Sequence, residues 1–534
     1  EAPDLEERHR SLRATFDASW RLLAANEQAA LARLAVFRSA FDPAAAEQVA
    51  GADRQLLRQL VDKSLLTRAG DRLLMLDVVR TYALDRLAAD PAMERLAHER
   101  HRACFTSMLG ELQHGVQRGD AAAIASIASS IDDVRSAWSF ATQTNDTAAL
   151  LRAMDGLFYF YEVRGWAREG AEVYGHTSAA VGRSLQSAPR PVRLAAAQLD
   201  ARHAVFLQRL GELRAAESLL RRAAAAARDL EESADIVFAL HRLGAVRHGM
   251  GDYEEAERLH REAWALAREA NDRLAVGWSM TYLGNVSWSR GEFDTATRLY
   301  TEALELLREE HDLNGMWVTL NNLGVIAASR EQYEEARRRF REGLALQSEL
   351  KNARFRAQGL HNLGCAAREL GELENARQRL VESLEISERM GYQSMAGLTL
   401  VGLAEISIRE GDETGATSAL HRALRSAAAV RNDPLALEAL LTLARLRQRQ
   451  GDRHGAVELA EIIARHPGSD DDARRKAAGL LVELGANPRP AEHGTDLDAL
   501  IDSILAGDSG LPMVGAAADP RRSHTLHAET TGDS

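Results

Sequence analysis

The residues of this chain best suited to metal chemistry lie in one stretch, at His98, His101 and Cys104. Imidazole and thiolate groups bind zinc, and on a helix this spacing puts the two histidines on one face with Cys104 turned partly away. A tetrahedral site needs a fourth ligand, which this stretch does not offer. The pattern favours a linker helix with outward histidines and Cys104 in the core, and we predict no metal site.

A phosphate-binding loop for nucleotides is not evident in the sequence. Such a loop has the form GxxxxGKS/T, and the chain contains only three lysines, Lys63, Lys351 and Lys476, none in a glycine-rich segment. No Ser/His/Asp or Cys/His arrangement stands out. We therefore predict that this chain is not an enzyme and binds no cofactor of its own.

Composition indicates a long, mainly helical chain. Its 534 residues include 11 prolines and only 5% aromatic side chains, and the net charge of -12 argues against general binding to polyanions. Two cysteines far apart in sequence indicate a reducing compartment. No run approaches 18 apolar residues and no signal peptide is evident, so we predict a cytoplasmic protein without a membrane span.

The strongest pattern is a repeat of 40 residues, in which a small residue is followed by a turn and then by an alanine. The small position is held by Ala204, Gly244, Gly284, Gly324, Gly364, Ala404 and Ala444, and the alanine position by Ala216, Ala256, Ala296, Ala336, Ala376, Ala416 and Ala456. A fixed period in this range is typical of a stacked repeat array, and such arrays usually bind other chains.

Each copy predicts a helix, a tight turn and a second helix. The two small columns allow the paired helices to approach closely. A glycine at the turn supplies the left-handed conformation that ends the first helix. Glu331 replaces that glycine in one copy, so its turn either has another shape or carries about 1 kcal/mol of strain.

The segment from Thr319 to Leu346, TLNNLGVIAASREQYEEARRRFREGLAL, resembles a tetratricopeptide repeat. The matching positions are Leu323, Gly324, Tyr333, Ala336, Phe340 and Gly343. The resemblance implies an α-solenoid, with seven such repeats in residues 197–467. The stretch GLFYFYEVRGWAREGAEVYG, around Gly165, reads as a degenerate repeat within 147–196.

Residues 1–90 follow a different pattern, with four amphipathic helices, a two-stranded hairpin that turns at Ala69-Gly70-Asp71, and another helix from about Val78 to Ala88. This order predicts a winged-helix domain. The strings RHRSLRATFDASWRLL, LARLAVF, LVDKSLL and RLLMLDVVRTYALDRLA resemble the winged helix that follows the nucleotide-binding domain in STAND-type signalling NTPases. The fold class is therefore mainly α, with an N-terminal winged helix followed by the solenoid.

The STAND resemblance implies that the repeats bind a partner and that the winged helix relays this event to a nucleotide-binding domain. ATP or ADP is then expected on a domain upstream of Glu1, since the chain begins without methionine and has no P-loop. In many relatives the wing ends in Met-His-Asp, whose histidine touches the nucleotide. The matching residues are Met75, Leu76 and Asp77, and leucine cannot donate that hydrogen bond.

Two other functions remain open. The first is a stand-alone scaffold, in which the winged helix only caps the array. The second is a DNA-binding transcriptional regulator that uses Arg54, Arg58 and Lys63 on the recognition helix of the wing. Residues 1–90 contain 13 Lys and Arg against 14 Asp and Glu, so the domain lacks the basic surface that DNA binding needs, and we expect no DNA contact.

In this repeat family the first helix of each repeat lines a concave groove that binds a protein or peptide. The corresponding residues are rich in aromatic and amide groups, which suit an extended peptide. They are Phe238, His241, Trp278, Tyr282, Asn285, Trp288, Asn321, Asn322, His361, Asn362 and Arg368. In the competing interpretation, Trp278 and Trp288 only pack between adjacent repeats.

The remaining segments are a helical linker at 91–146, a capping helix at 468–487, and a tail at 488–534. From Gly485 onward there are 3 arginines, no lysine and 8 acidic residues, so we predict disorder apart from a short helix in TDLDALIDSILAG. The sequence does not identify the ligand, the oligomeric state or the effector domain.

Overall fold

The computed structural model describes residues 16–117, 120–182, 188–347, 352–430, 432–466, 468–469, 471–486 and 497–506. The chain forms two compact units, Glu1–Arg356 and Ala357–Ser534. Most of the tail predicted to be disordered lies outside the described residues. Among the described residues, no helix is both long enough and apolar enough to span a bilayer.

The N-terminal part of the first unit contains short helices and one hairpin. Its elements are α1 (Ala25–Leu34), α2 (Pro43–Ala50), α3 (Arg54–Asp62), β1 (Thr67–Ala69), β2 (Arg72–Leu74) and α4 (Asp77–Ala88). Asp42 and Asp53 cap α2 and α3 through their carboxylates, and Gly70 takes the left-handed conformation between the antiparallel strands. These elements lie where the sequence predicts them, while the winged-helix assignment stays a prediction.

Five helices connect this module to the repeats. They are α5 (Pro91–Gln117), α6 (Ala121–Ala128), α7 (Ile131–Gln143), α8 (Thr147–Arg164) and α9 (Ala167–Val181). The buried carboxylate of Asp133 on α7 accepts hydrogen bonds from the backbone N–H groups of Arg38 (2.7 Å) and Ser39 (3.0 Å). It also lies 2.8 Å from Nε2 of His101. Arg72 of the hairpin donates to the carbonyl of Ser129. Polar contacts therefore hold the module against the connecting helices.

The rest of the first unit consists of helix pairs. The first helix of each repeat is called helix A and the second helix B. The helices are α10 (Arg190–Arg209), α11 (Leu213–Asp229), α12 (Ser233–Gly249), α13 (Tyr253–Glu269), α14 (Arg273–Ser289), α15 (Phe293–Glu309), α16 (Leu313–Ser329) and α17 (Tyr333–Ala345). The helices of each pair pack against each other, and successive A helices are neighbours.

The second unit continues the same alternation. Its helices are α18 (Ala353–Glu369, which begins just before the unit boundary), α19 (Leu373–Met390), α20 (Gln393–Glu410), α21 (Glu413–Val430), α22 (Asp433–Arg449), α23 (Arg453–Arg465), α24 (Asp471–Glu483) and α25 (Leu497–Ala506). The helix predicted within the tail is α25, and its Leu500, Ile501 and Ile504 are buried in the core of this unit.

The two small columns lie inside the helix pairs, as predicted. Each of the seven alanines from Ala216 to Ala456 is 0% exposed. A Cβ atom added at Gly284 would lie 2.6 Å from the ring of Tyr300, and one at Gly324 would lie 2.4 Å from the ring of Phe340. These distances are too short for any side chain. Helix A therefore lies this close to helix B only because its glycine has no side chain.

A left-handed residue ends almost every helix of the array. These residues are Gly211, Glu231, Gly251, Asn271, Gly291, His311, Glu331, Gly371, Gly391, Gly411 and Gly451. They are spaced 20 residues apart, and residues 351 and 431, which would continue the series, lie outside the described residues. Glu331 has a φ of 59°, so its turn keeps the common shape and carries the strain of a left-handed side chain.

Candidate binding groove

Seven partly exposed side chains on the A helices of the first unit form the surface that we call the helix-A face. They are Phe238 and Arg242 on α12, Trp278, Tyr282, Asn285 and Trp288 on α14, and Asn322 on α16. Six of them were predicted from the sequence, and Trp288 is the most exposed of the tryptophans in this set, at 40%. Because successive A helices are neighbours, these side chains lie along one continuous surface.

The ring of Tyr282 packs against two buried histidines. Its ring stacks on His260 at 5.1 Å between centroids, and it lies 4.8 Å from His241. The Nδ1 atoms of the two histidines are 3.2 Å apart, and Nε2 of His241 is 3.0 Å from the hydroxyl of Ser279. Burial lowers the pKa of His260 to about 3 and that of His241 well below its ordinary value. His241, which the sequence places in the groove, therefore supports Tyr282 from beneath.

Trp278 joins two repeats as well as facing the groove. Its indole N–H donates to Asp312 at 2.8 Å, and Asp312 in turn caps α16 by accepting from the backbone N–H of Asn314. Burial raises the pKa of Asp312. Trp278 also packs against the same hydrophobic cluster as Trp264 and Met316. Trp278 therefore lies on the helix-A face and also packs between adjacent repeats, which are the two positions that the sequence analysis considered for it.

Two asparagines form an amide pair across neighbouring repeats. Asn322 donates through Nδ2 to Oδ1 of Asn285 at 3.0 Å, and the hydroxyl of Tyr300 donates to the same oxygen at 2.6 Å. The amide nitrogen of Asn285 and the side-chain oxygen of Asn322 have no partner among the described residues. One donor and one acceptor are thus left on the face, while Asn321 is buried.

Arginines of the same column were missed by the sequence analysis. Arg242 lies two residues before Gly244, as Tyr282 lies before Gly284, and its guanidinium sits 5.0 Å above the ring of Phe238. Arg202 approaches the same ring at 5.3 Å. Their position within the repeat could have identified these arginines. In a highly charged sequence, however, an arginine is usually assigned to a solvated helix face.

The predicted groove residues of the second unit have partners within that unit. His361 lies 3.6 Å from the sulfur of Cys365 and 3.3 Å from the hydroxyl of Thr399, and burial lowers its pKa to about 4. Arg368 forms ion pairs with Glu369 at 2.8 Å and with Glu405. Asn362 is partly exposed. The donors of Arg368 are therefore engaged by the protein.

The residues predicted near the nucleotide separate into buried and exposed groups. Met75 is buried, Leu76 is 49% exposed at the start of α4, and Asp77 pairs with Arg80 at 2.7 Å. Their relation to a nucleotide stays a prediction.

The candidate metal ligands have other contacts. His98 stacks on Phe140, His101 faces Asp133, and burial raises the pKa of Cys104 to about 11. Within the part of the chain that the structure describes, no group of three His, Cys, Asp or Glu residues is arranged to hold a metal ion.

Comparison with known proteins identifies the repeats. Two mycobacterial proteins, from Mycobacterium tuberculosis and Mycobacterium bovis, are each 31% identical over 175 residues, and both are named provisionally as HTH-type transcriptional regulators. The match covers 31% of this chain and 20% of each relative.

The crystal structure of a Signal Transduction ATPase with Numerous Domains (STAND) protein from Pyrococcus horikoshii, which has a tetratricopeptide repeat sensor, aligns with a TM-score of 0.52 at 14% identity. That alignment covers 89% of this chain and 65% of the other, and it shows a shared fold. The tetratricopeptide repeat profile matches residues 193–269, 235–309 and 317–389, so these segments are tetratricopeptide repeats.

Proposed function

We propose that this chain is the regulatory and sensor region of a signal-transduction ATPase of the STAND type. The repeat array binds a protein or peptide partner, and the N-terminal helical module relays that event to an upstream nucleotide-binding domain. ATP or ADP binds on that domain, and this chain performs no catalysis itself. The two halves of the proposal, binding and relay, rest on different observations.

The helix-A face carries the binding half. Asn285 and Asn322 leave one donor and one acceptor on this face, which is the pair of groups that an extended backbone offers in each residue. Tyr282 and Trp288 flank them, and such rings bury a large area with few rotatable bonds. A partner segment can therefore form backbone hydrogen bonds between aromatic contacts.

The attachment of the N-terminal module supports the relay half. Asp133 on α7 accepts a hydrogen bond from the backbone of Arg38, and the carbonyl of Ser129, just after α6, accepts one from Arg72. His101 on α5 contacts Asp133 in turn. A change in the connecting helices is thus transmitted to the module through polar contacts that have specific geometry. The fold shared with a protein that has a repeat sensor and belongs to the signalling ATPases is consistent with this order of parts.

Binding can be tested with a fluorescent pool of end-capped random octapeptides, which span about 27 Å when extended. We expect Asn322→Ala and Trp288→Ala each to weaken binding about tenfold or more, because each removes a contact of the central face. Asn375→Ala is the matched control, because Asn375 lies on helix B of its repeat and pairs with Glu372. Fluorescence anisotropy gives the affinities, and thermal unfolding verifies that each variant is folded.

Equal binding by all three variants would contradict the groove assignment. The relay requires an encoded nucleotide-binding domain, so the reading frame before Glu1 is the direct test of that half. If no P-loop is encoded there, the signalling role is wrong even when the array binds peptides.

The name of the mycobacterial relatives favours a second function, DNA binding by the N-terminal module. Of the three cations on or next to α3, Lys63 is engaged by Glu27 at 2.6 Å, which leaves Arg54 and Arg58 exposed. Two arginines on a module without excess positive charge predict weak binding. A salt-dependent shift of duplex DNA by the whole chain, lost in Arg54→Ala/Arg58→Ala, would establish this alternative.

A further inference from the structure

We infer that His361 and Cys365 form a binding site for a thiophilic divalent cation such as Zn²⁺, which the two side chains chelate from one face of α18. The site goes beyond the proposed function, because metal binding requires neither a captured peptide nor a nucleotide. It also departs from the sequence-based expectation of no metal. Both ligands and the groups that orient them lie within the second unit.

The two ligand atoms already have the separation that a metal ion requires. Because Cys365 follows His361 by four residues, the two side chains lie on the same face of the helix. The sulfur of Cys365 is 3.6 Å from Nε2 of His361. A tetrahedral zinc ion, with a Zn–S distance of about 2.3 Å and a Zn–N distance of about 2.1 Å, holds such atoms about 3.6 Å apart. Both side chains are partly exposed, so an ion can enter without unfolding of the helix.

A chain of hydrogen bonds orients the imidazole and determines its tautomer. The hydroxyl of Ser383 donates to the carbonyl of Ala357 at 2.7 Å and lies 3.3 Å from the hydroxyl of Thr399. Because Ser383 has used its proton, Thr399 donates to Ser383, and Nδ1 of His361, at 3.3 Å, donates to Thr399. The lone pair of Nε2 therefore faces the sulfur of Cys365. A metal-binding histidine usually donates its other ring N–H in this way.

The ion takes the place of one proton. In the metal-free chain the thiol of Cys365 donates to the lone pair of Nε2. Burial raises the pKa of Cys365 to about 12 and lowers that of His361 to about 4, so at neutral pH the thiol keeps its proton and the ring is neutral. Zn²⁺ accepts the lone pair of Nε2 and the thiolate, and the thiol proton goes to the solvent.

The neighbouring charges favour a cation at this position. Arg368, three residues after Cys365, is held by Glu369 and Glu405, so this cluster carries more negative than positive charge. With two protein ligands the ion keeps coordination positions for water, whereas a structural zinc site has four protein ligands. We therefore expect an exchangeable ion. Thiolate and imidazole suit Zn²⁺, whereas Mg²⁺ and Ca²⁺ prefer oxygen ligands.

The test titrates the whole metal-free chain with Cd²⁺, a thiophilic analogue of Zn²⁺ whose bond to a thiolate absorbs in the ultraviolet. We expect a band that saturates at about one equivalent, that Zn²⁺ removes by competition and that Mg²⁺ leaves unchanged. Cys365→Ser should abolish the band. His361→Gln should weaken Cd²⁺ binding about 100-fold or more, because it removes one of two ligands. Cys104→Ser is the matched control and should retain the band, since the neighbouring His101 faces Asp133.

Thr399→Val removes the hydroxyl that orients His361 and keeps nearly the same shape. We expect it to weaken Cd²⁺ binding about tenfold, a response that a cysteine acting alone would not show. Thermal unfolding verifies that each variant is folded. The site is overturned if the unmodified chain gives no band, if the band survives in Cys365→Ser, or if His361→Gln binds Cd²⁺ as tightly as the unmodified chain. None of these results would alter the proposed peptide binding.

Discussion

Arginines in the two units of the array meet opposite surroundings. Arg242 in the first unit stacks on Phe238 and has no carboxylate partner among the described residues. Arg368 in the second unit is 13% exposed in its side chain and is held by Glu369 and Glu405. Both lie on A helices of the same repeat architecture. The two arginines occupy different positions of the repeat, two residues before Gly244 and four residues after Gly364. They differ in the carboxylates that surround them, since Arg368 has Glu369 on its own helix and Glu405 on the next A helix.

The spacing between contacting residues explains the difference. Several side chains on successive A helices meet at a separation of 37 or 38 residues, as in Arg368 with Glu405 and His241 with Ser279. The residue 37 positions after Arg242 is Ser279, which offers no charge. Arg368 has a carboxylate at this separation and Arg242 has none.

The largest expected difference between the units is their response to acid. His241 and His260 in the first unit and His361 in the second have folded-state pKa values below those of the unfolded chain. Below about pH 6.5 the unfolded state therefore binds more protons, and stability falls as the pH falls. Each histidine with a lowered pKa should remove up to about 1.4 kcal/mol per pH unit. Burial also lowers the pKa of His98, His203 and His248 in the first unit and of His421 in the second, so the first unit should lose more stability than the second.

The histidine variants separate these contributions. His260→Phe introduces the residue type found at the corresponding position of another repeat, Phe340. Between pH 6.5 and pH 5 it should reduce the dependence of the free energy of unfolding on pH by the contribution of about one proton. His361→Val should do the same in the second unit. Denaturant unfolding at several pH values measures the slopes, and an unchanged slope in His260→Phe would show that its burial does not govern acid stability.

The second prediction concerns the two arginines. Arg368→Ala should lower the free energy of unfolding by about 2 kcal/mol, because it leaves the partly buried Glu405 without its partner. Arg242→Ala should lower it by less than about 1 kcal/mol, since only a contact with the ring of Phe238 is lost. Urea unfolding followed by circular dichroism compares them. Adding Glu405→Ala to Arg368→Ala should recover part of the loss, and an equal cost for both arginines would contradict the comparison.

The smallest expected effect lies in the turns. Glu331 in the first unit and Gly371 in the second occupy equivalent left-handed positions. Glu331→Gly should stabilise the chain by about 1 kcal/mol, and Gly371→Ala should destabilise it by a similar amount. Gln332→Gly is the control, because Gln332 has a φ of -86° and gains nothing from glycine. Thermal unfolding detects each change as a shift in Tm.

The architecture of the repeats could be predicted because it depends on residue types that repeat. Small residues at Gly284 and Ala336 mark the contact between helices A and B, and a glycine marks the first turn of every repeat except the one that has Glu331. The left-handed turn that follows helix B of each repeat was missed, because Glu231, Asn271 and His311 share no side-chain type. Here the lengths of the flanking helices impose the conformation on different residues.

The exposure of the side chains on the helix-A face could be predicted only in part. Tyr282, Asn285 and Asn322 are on the face as expected, but His241 and Asn321 are buried. Position in the repeat predicts the side of the helix, whereas burial depends on the opposing helix, such as α13, which brings His260 against His241. Arg242 was missed because the sequence does not show which charged residues will find a partner, which becomes visible only from the contacts.

The even spacing of the left-handed turns has an evolutionary consequence. Since each helix and turn together occupy the same length of chain, an in-frame duplication of one repeat adds a complete helix pair with its small columns and turns in register. Such an event lengthens the helix-A face without altering the repeats already present. Point substitutions at positions such as Arg242 change the charge of that face separately. The length and the charge of the helix-A face can therefore be selected independently during the history of the gene.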